Sequence, residues 1–174
     1  DKVVMITGAS SGIGRGVALE VASRGAHLGL LARREDLLNE IVSEARGRNV
    51  KAVAASADVR DVKAVREAAD RFRKELGPID ILIANAGIGT SDHTTRLTPE
   101  HAADVIGINL LGAVNSVAAV LPEMVDRDKG RLVAIFRRSR LSEASNRAES
   151  LPPWGRTGFI VAGGIVLPIL VLTP

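Results

Sequence analysis

Three glycines near the start of the chain, Gly8, Gly12 and Gly14, are spaced G-x-x-x-G-x-G within Thr7-Gly8-Ala9-Ser10-Ser11-Gly12-Ile13-Gly14. Glycines at this spacing let a backbone turn sharply, keep one face of the loop bare of Cβ atoms and let a helix sit close to a sheet. A helix beginning there offers unpaired N–H groups and the positive end of its dipole, which together suit a pyrophosphate. Three later places put polar or charged residues directly behind apolar runs: Ala32-Arg33-Arg34, Asp58-Val59 and Asn85-Ala86-Gly87. Taken singly, each reads as an ordinary turn or cap, where Asp and Asn are common. Taken with Ser10, Ser11 and Ile13 of the loop, they describe a cleft that holds a dinucleotide.

The elements that must position these residues are legible from periodicity. Val3-Val4-Met5-Ile6 is a buried strand, and Val17, Ala18, Val21 and Ala22 recur at helical spacing behind the glycines, up to about Arg24. Ala26–Leu31 reads as a second strand, and Leu37, Leu38, Ile41, Val42 and Ala45 form the stripe of an amphipathic helix. A third strand spans Val50–Ala57; Val62, Val65, Ala69, Phe72 and Leu76 mark the next helix, stopped at Gly77-Pro78. Ile79–Ala84 is a fourth strand. Thr98-Pro99-Glu100 carries an N-cap and a first-turn proline for a helix running to Val125, and Leu132–Ile135 is a fifth strand. Strands apolar on both faces that alternate with helices predict an α/β fold, a Rossmann-type doubly wound parallel sheet of about five strands. Ligands bind such sheets at the carboxyl ends of the strands, where the four loops above fall.

Composition narrows the function classes. The 174 residues hold no cysteine, which excludes disulfides, thiolate catalysis and cysteine-bound metal. His27, His93 and His101 lie far apart without metal-ligand spacing, so no metal site is expected. Five of the 23 basic and two of the 20 acidic residues fall in 137–174, leaving 18 of each in 1–136. A neutral body with 2% aromatic residues is not a nucleic-acid binder. The chain opens on a core strand, so no signal peptide is expected within it and the expected location is cytoplasmic.

Over residues 1–135 the chain resembles the short-chain dehydrogenase/reductase family. Thr7-Gly8-Ala9-Ser10-Ser11-Gly12-Ile13-Gly14 matches that family's T-G-x-x-x-G-I-G loop, and Asn85-Ala86-Gly87 the end of its N-N-A-G motif, with Ala84 in place of the first Asn. The resemblance implies that Asp58 contacts adenine and that Asn109, in Ile108-Asn109-Leu110, is the family's catalytic asparagine. It further implies hydride transfer between a nicotinamide cofactor and a small-molecule alcohol or carbonyl. The family also uses a serine after the fifth strand, a tyrosine as acid/base and a lysine four residues on. A phenol of pKa about 10 needs a cation beside it to serve as a base at neutral pH. Here Phe136-Arg137 follows the fifth strand, the chain contains no tyrosine, and Lys129 is its last lysine. The alternatives to an oxidoreductase are therefore a non-catalytic dinucleotide-binding protein or a truncated or frame-altered fragment.

The preferred cofactor is expected to be NADP(H), with NAD(H) as the alternative. An NAD-dependent enzyme of this architecture usually ends its second strand with an acid that binds the ribose 2′-OH. Ala32 occupies that position here, and the Arg33 guanidinium beside it suits a 2′-phosphate. Residues 1–136 form the dinucleotide-binding domain. The tail, 137–174, reads as coil over 137–158 and then an apolar run over 159–172, broken by Gly163-Gly164 and Pro168. That run is short of the ~20 residues a membrane span wants; a strand pairing with the sheet, a packed hairpin and an anchor are all open to it, and a buried or adventitious apolar segment ranks above a membrane anchor. With the family's further strands absent from the pattern, the fifth strand is expected to have an open edge. The sequence leaves the oligomeric state open.

Overall fold

The computed structural model describes residues 1–89 and 98–135, together with the backbone of two strands in the tail. In chain order the elements are β1 (Val3–Thr7), α1 (Gly12–Ser23), β2 (His27–Ala32), α2 (Glu35–Arg46), β3 (Ala52–Ser56), α3 (Val62–Leu76) and β4 (Ile81–Ala84). There follow α4 (Pro99–Ile106), a π-helical segment (Gly107–Leu111), α5 (Gly112–Asp126), β5 (Arg131–Ile135), β6 (Gly158–Ala162) and β7 (Ile165–Leu172). His93 and the serines between Phe136 and Leu151 lie outside the described residues.

The strands lie in the order β3-β2-β1-β4-β5-β7-β6. The five strands from β3 to β5 are mutually parallel, as the apolar runs require. β1 shows why both faces must be covered. Val3 and Met5 point into one core with Val65, Phe72 and Val120, whereas Val4 and Ile6 point into the other with Ala18, Leu38 and Ile41. Thus α1 and α2 cover one face, and α3 and α5 the other. Phe72 is fully buried and lies over β2 at Gly29, where a Cβ would come within 2.6 Å of its ring.

The sheet does not stop at β5. β7 pairs antiparallel with it, Leu132 opposite Leu172 through Ile135 opposite Ile169, and β6 pairs antiparallel with β7. The expectation of an open β5 edge is thereby corrected. An unpaired row of backbone groups is a strong template, and the apolar tail run supplies the strand that satisfies it. Pro168, which has no N–H to give, falls one residue beyond the β5–β7 ladder.

Two strands begin later than their hydrophobicity suggests. Val50 and Ile79 are buried but unladdered. The Lys51 N–H is taken by His27 Nδ1 at 3.1 Å, so β3 starts pairing at Ala52 opposite Leu28. Likewise the Val3 N–H donates to the Asp80 carboxylate at 3.1 Å, and β4 pairing opens with Ile81 opposite Val4. Helix starts follow the sequence closely. Asp61 Oδ1 accepts from Lys63 and Ala64 N–H at 3.0 Å each, and Thr98 Oγ1 from His101 N–H at 3.2 Å. The helical run Pro99–Asp126 contains an 18-residue stretch of mean hydropathy 1.8 and is long enough to cross a membrane, yet its Ile108, Ala119, Val120 and Met124 are buried in the core shared with α3.

Candidate dinucleotide site at the strand ends

The register places Thr7, Ala84 and Ala134 side by side, so the loops after β1 and β4 meet at one edge of the sheet. They are stitched together. The buried Thr7 Oγ1 accepts from the N–H groups of Asn85 and Ala86, both at 3.2 Å, while Asn85 Nδ2 donates to the Thr7 and Gly8 carbonyls, both at 3.1 Å. Thr7 is thus a site-building residue that only its place in the loop motif hinted at.

The three glycines do different work. Gly8 has φ +65°, and a Cβ there would sit 2.7 Å from the Ala86 Cα. A Cβ on Gly14 would come 2.5 Å from Asn85 Nδ2 and nearer still to the Gly8 carbonyl, so this glycine sets how closely α1 approaches both loops. Gly12 has φ +56° with nothing within 4 Å of where its Cβ would be, leaving an open face at the helix start. Ser11 caps α1 without a side-chain bond to its N–H groups, and the first turn carries no acid. That donor set fits an external anion. Ile13 stands 40% exposed on the same turn.

At the end of β2, Ala32 is buried and Arg33 exposed. The Arg33 carbonyl accepts from Ser56 Oγ at 3.1 Å, which leaves its side chain to the surface. Arg34 is the arginine that reaches the glycine loop: its Nη2 donates to Ser11 Oγ at 2.7 Å and Ser10 Oγ at 3.2 Å. Periodicity marks Arg34 only as a helix opener, and nothing in the sequence aims it at the loop. Arg34 thus borders the loop, while the charge of Arg33 acts on Asp58.

Asp58 and Val59 follow β3. The Asp58 carboxyl is held below the usual carboxylate range, first by its side-chain hydrogen bond from Arg60, against burial that opposes it, and further by the charge of Arg33. Val59 is buried against Gly112, and its carbonyl accepts from Asn115 Nδ2 at 2.9 Å, which ties this loop to α5.

Asn109 lies in the π-helical segment, where the Gly112 N–H reaches back to the Gly107 carbonyl. Such widened turns recur at functional sites. The sequence does not mark this turn, because apolar residues continue on both sides of Asn109 and read as one helix. The Asn109 side chain is engaged at both ends with Ile88: Oδ1 accepts from its N–H at 2.8 Å and Nδ2 donates to its carbonyl at 2.9 Å. Gly87 allows that approach, a Cβ there falling 3.3 Å from Asn109 Oδ1. The loop Asn85-Ala86-Gly87 is therefore fixed from both sides, by Thr7 and by Asn109. Lys129 precedes β5 and so lies at the opposite end of the sheet.

The arrangement brings Gly8–Gly14, Arg33, Asp58-Val59, Asn85–Gly87 and Asn109 to the carboxyl ends of β1 to β4. Comparison with known proteins agrees with this geometry. A family model described as short chain dehydrogenase matches residues 2–144. The oxidoreductase UcpA of Salmonella typhimurium is 40% identical over 132 residues, which cover 76% of this chain and 50% of that protein. Among solved structures, a variant of actinorhodin polyketide ketoreductase with NADPH superposes with a TM-score of 0.72 at 32% identity, covering 77% of this chain and 52% of that one. NAD+-bound xylitol dehydrogenase gives a TM-score of 0.72 at 31% identity, covering 76% of this chain and 52% of that one. The chain spans about half the length of these relatives. With the family model matching over residues 2–144 and the parallel strand order β3-β2-β1-β4-β5, the chain belongs to the short chain dehydrogenase family.

Proposed function

We propose that this chain holds NADP(H) for an oxidoreductase that moves hydride between the nicotinamide and a small alcohol or carbonyl. The observation that carries the reading is that four strand-end loops share one edge of the sheet, the first of them with an open face at Gly12 and a helix start without an acid or side-chain cap of its own. Gly8, Ser10, Ser11, Gly12, Ile13 and Gly14 would hold the pyrophosphate. Asp58 and Val59 would take the adenine, and Asn85, Ala86 and Gly87 would border the remainder of the dinucleotide. When bound, the nicotinamide supplies the hydride-carrying carbon.

Cofactor choice rests on β2. No carboxylate stands at Ala32 to repel a 2′-phosphate, and Arg33, with Arg34 already seated on the loop serines, offers guanidinium groups to bind one. We assign Asn109 a positioning role toward Ile88, because an amide neither gives nor takes a full proton at neutral pH. The chain has no tyrosine, so these 174 residues alone are expected to bind cofactor and turn over little. A general acid/base contributes roughly 10²–10⁴-fold in rate. The absent tyrosine equally favours a second reading, a dinucleotide-binding protein without catalysis.

Following NADPH absorbance with a panel of ketones and aldehydes tests the catalytic half. Turnover of about one per second, ordinary for an enzyme, that vanishes in Asn109→Ala would contradict the proposal. Titration tests the cofactor half: Arg33→Ala should lose the preference for NADPH over NADH, and an unchanged ratio would refute the assignment.

A further inference from the structure

Arg60 follows Asp58-Val59, and its hold on the Asp58 carboxyl is one of several contacts it makes. It closes on Asp58 from two directions. Its backbone N–H donates to Oδ1 at 2.9 Å, Nε lies 3.1 Å from Oδ1 and 3.2 Å from Oδ2, and Nη2 is 2.8 Å from Oδ2. The remaining Nη1 reaches Asp104 on α4 at 2.7 Å, and the side chain's Cδ packs against Gly107 at the head of the π-helical segment. One guanidinium therefore ties the end of β3 to the helix that carries Asn109.

Counting acceptor capacity shows what this leaves over. A carboxylate oxygen accepts two hydrogen bonds. Oδ1 has two donors, the Arg60 N–H and Nε. Oδ2 has one close donor, Nη2, and a longer share of Nε. Oδ2 thus keeps an acceptor site, on a side chain that remains 28% exposed. The charged groups facing this carboxylate are Arg60 from its own loop and Arg33 from the end of β2, with Asp104 beyond the guanidinium.

Resting on the reading that a dinucleotide places its adenine at Asp58, we propose that Arg60 is the positioning residue for adenine recognition. It holds the Asp58 carboxylate charged and in one rotamer, so that Oδ2 accepts from the exocyclic amino group. The terminal torsion of an aspartate is otherwise broad, and an unheld carboxylate would turn toward water. The consequence is selectivity between bases. Adenine brings a donor to Oδ2, whereas hypoxanthine brings a carbonyl oxygen to the same place, where two acceptors meet.

The test compares NADPH with reduced nicotinamide hypoxanthine dinucleotide phosphate by titration calorimetry on the full chain and its variants. A charge-assisted hydrogen bond of this kind corresponds to a preference for adenine of about tenfold in Kd. Asp58→Ala should abolish that preference, Arg60→Ala should cut it to about twofold, and Arg60→Lys should keep part of it, since an ammonium pairs without the planar fork. Asp104→Asn should leave it standing, because the bonds to Asp58 remain. A merely structural role would weaken both ligands equally, so an intact preference in Arg60→Ala and Arg60→Lys overturns the proposal. Loss of the preference in Asp104→Asn to the same degree would also overturn it, by moving the effect to the helix. If the unaltered chain binds neither ligand, the dinucleotide reading itself fails, a result distinct from either of these.

Discussion

Gly12 and Gly14 stand two residues apart, and one methyl group on each should fail in opposite ways. At Gly14 the added Cβ would lie 2.5 Å from Asn85 Nδ2 and nearer still to the Gly8 carbonyl. Real Cβ contacts essentially never fall under 3.0 Å, so α1 must move outward by at least half an ångström. Overpacking against fixed backbone costs about 1–3 kcal/mol, toward the upper end here. The helix propensity of alanine over glycine returns about 1 kcal/mol. The net loss of about 2 kcal/mol corresponds to a fall of roughly 4–8 °C in Tm for a chain of this size. At Gly12 nothing lies within 4 Å, so the cost is confined to placing alanine at φ +56°, about 1–2 kcal/mol. There, however, the methyl stands on the open face where the pyrophosphate would lie. Thermal melts and NADPH titrations of both variants give the check. Gly14→Ala should lose more stability, and Gly12→Ala should lose more affinity relative to its stability. Equal losses of affinity at equal stability would refute the division of labour between the two glycines.

Three further outcomes follow from individual side-chain contacts. Phe72→Ala, in the core over Gly29, should cost about 3–5 kcal/mol in a urea titration, and a loss under 1 would mean the site collapses onto the cavity. Asn109→Ala removes both bonds to the Ile88 backbone, so the Ile88 amide should exchange hydrogen faster, with about 1–3 kcal/mol lost in stability. For Asp58 the sign follows from its depressed pKa. Its contribution to stability is present above the ordinary carboxylate value of about 3.9 and is lost as pH falls through the lower folded value. Arg60→Ala removes the largest cause of the depression and leaves the backbone N–H and Arg33, so its stability should fall less steeply than the parent's from about pH 5 to pH 3, and parallel profiles would contradict the assignment.

Much of the fold was legible because it rests on local rules. The buried strand opening at Val3, the glycine loop and the capped start at Thr98 each follow from residues within a few positions of one another. The strand-end residues were legible for the same reason, since a parallel sheet sends every β–α loop to one edge. What escaped depends on distant partners. The late starts of β3 and β4 come from His27 and Asp80 taking N–H groups across the sheet. The pairing of β7 with β5 joins residues some 35 positions apart, and the apolar run alone was equally compatible with a packed hairpin. Arg34 and Arg60 carry ordinary surface chemistry in sequence; only the fold reveals that one meets Ser10 and Ser11 and the other bridges Asp58 to Asp104.

The central claim is that a dinucleotide lies across the carboxyl ends of β1 to β4. Amide chemical-shift mapping of the chain with and without NADPH tests it at residue resolution. The largest changes should fall on Gly12, Ile13 and Gly14, on Asp58-Val59 and on Ala86-Gly87, saturating together with a single Kd and appearing more weakly with NADH. Changes centred instead on the charged groove between α3 and α5 lined by Arg66, Asp70, Glu123 and Asp126, or no changes at all, would contradict it.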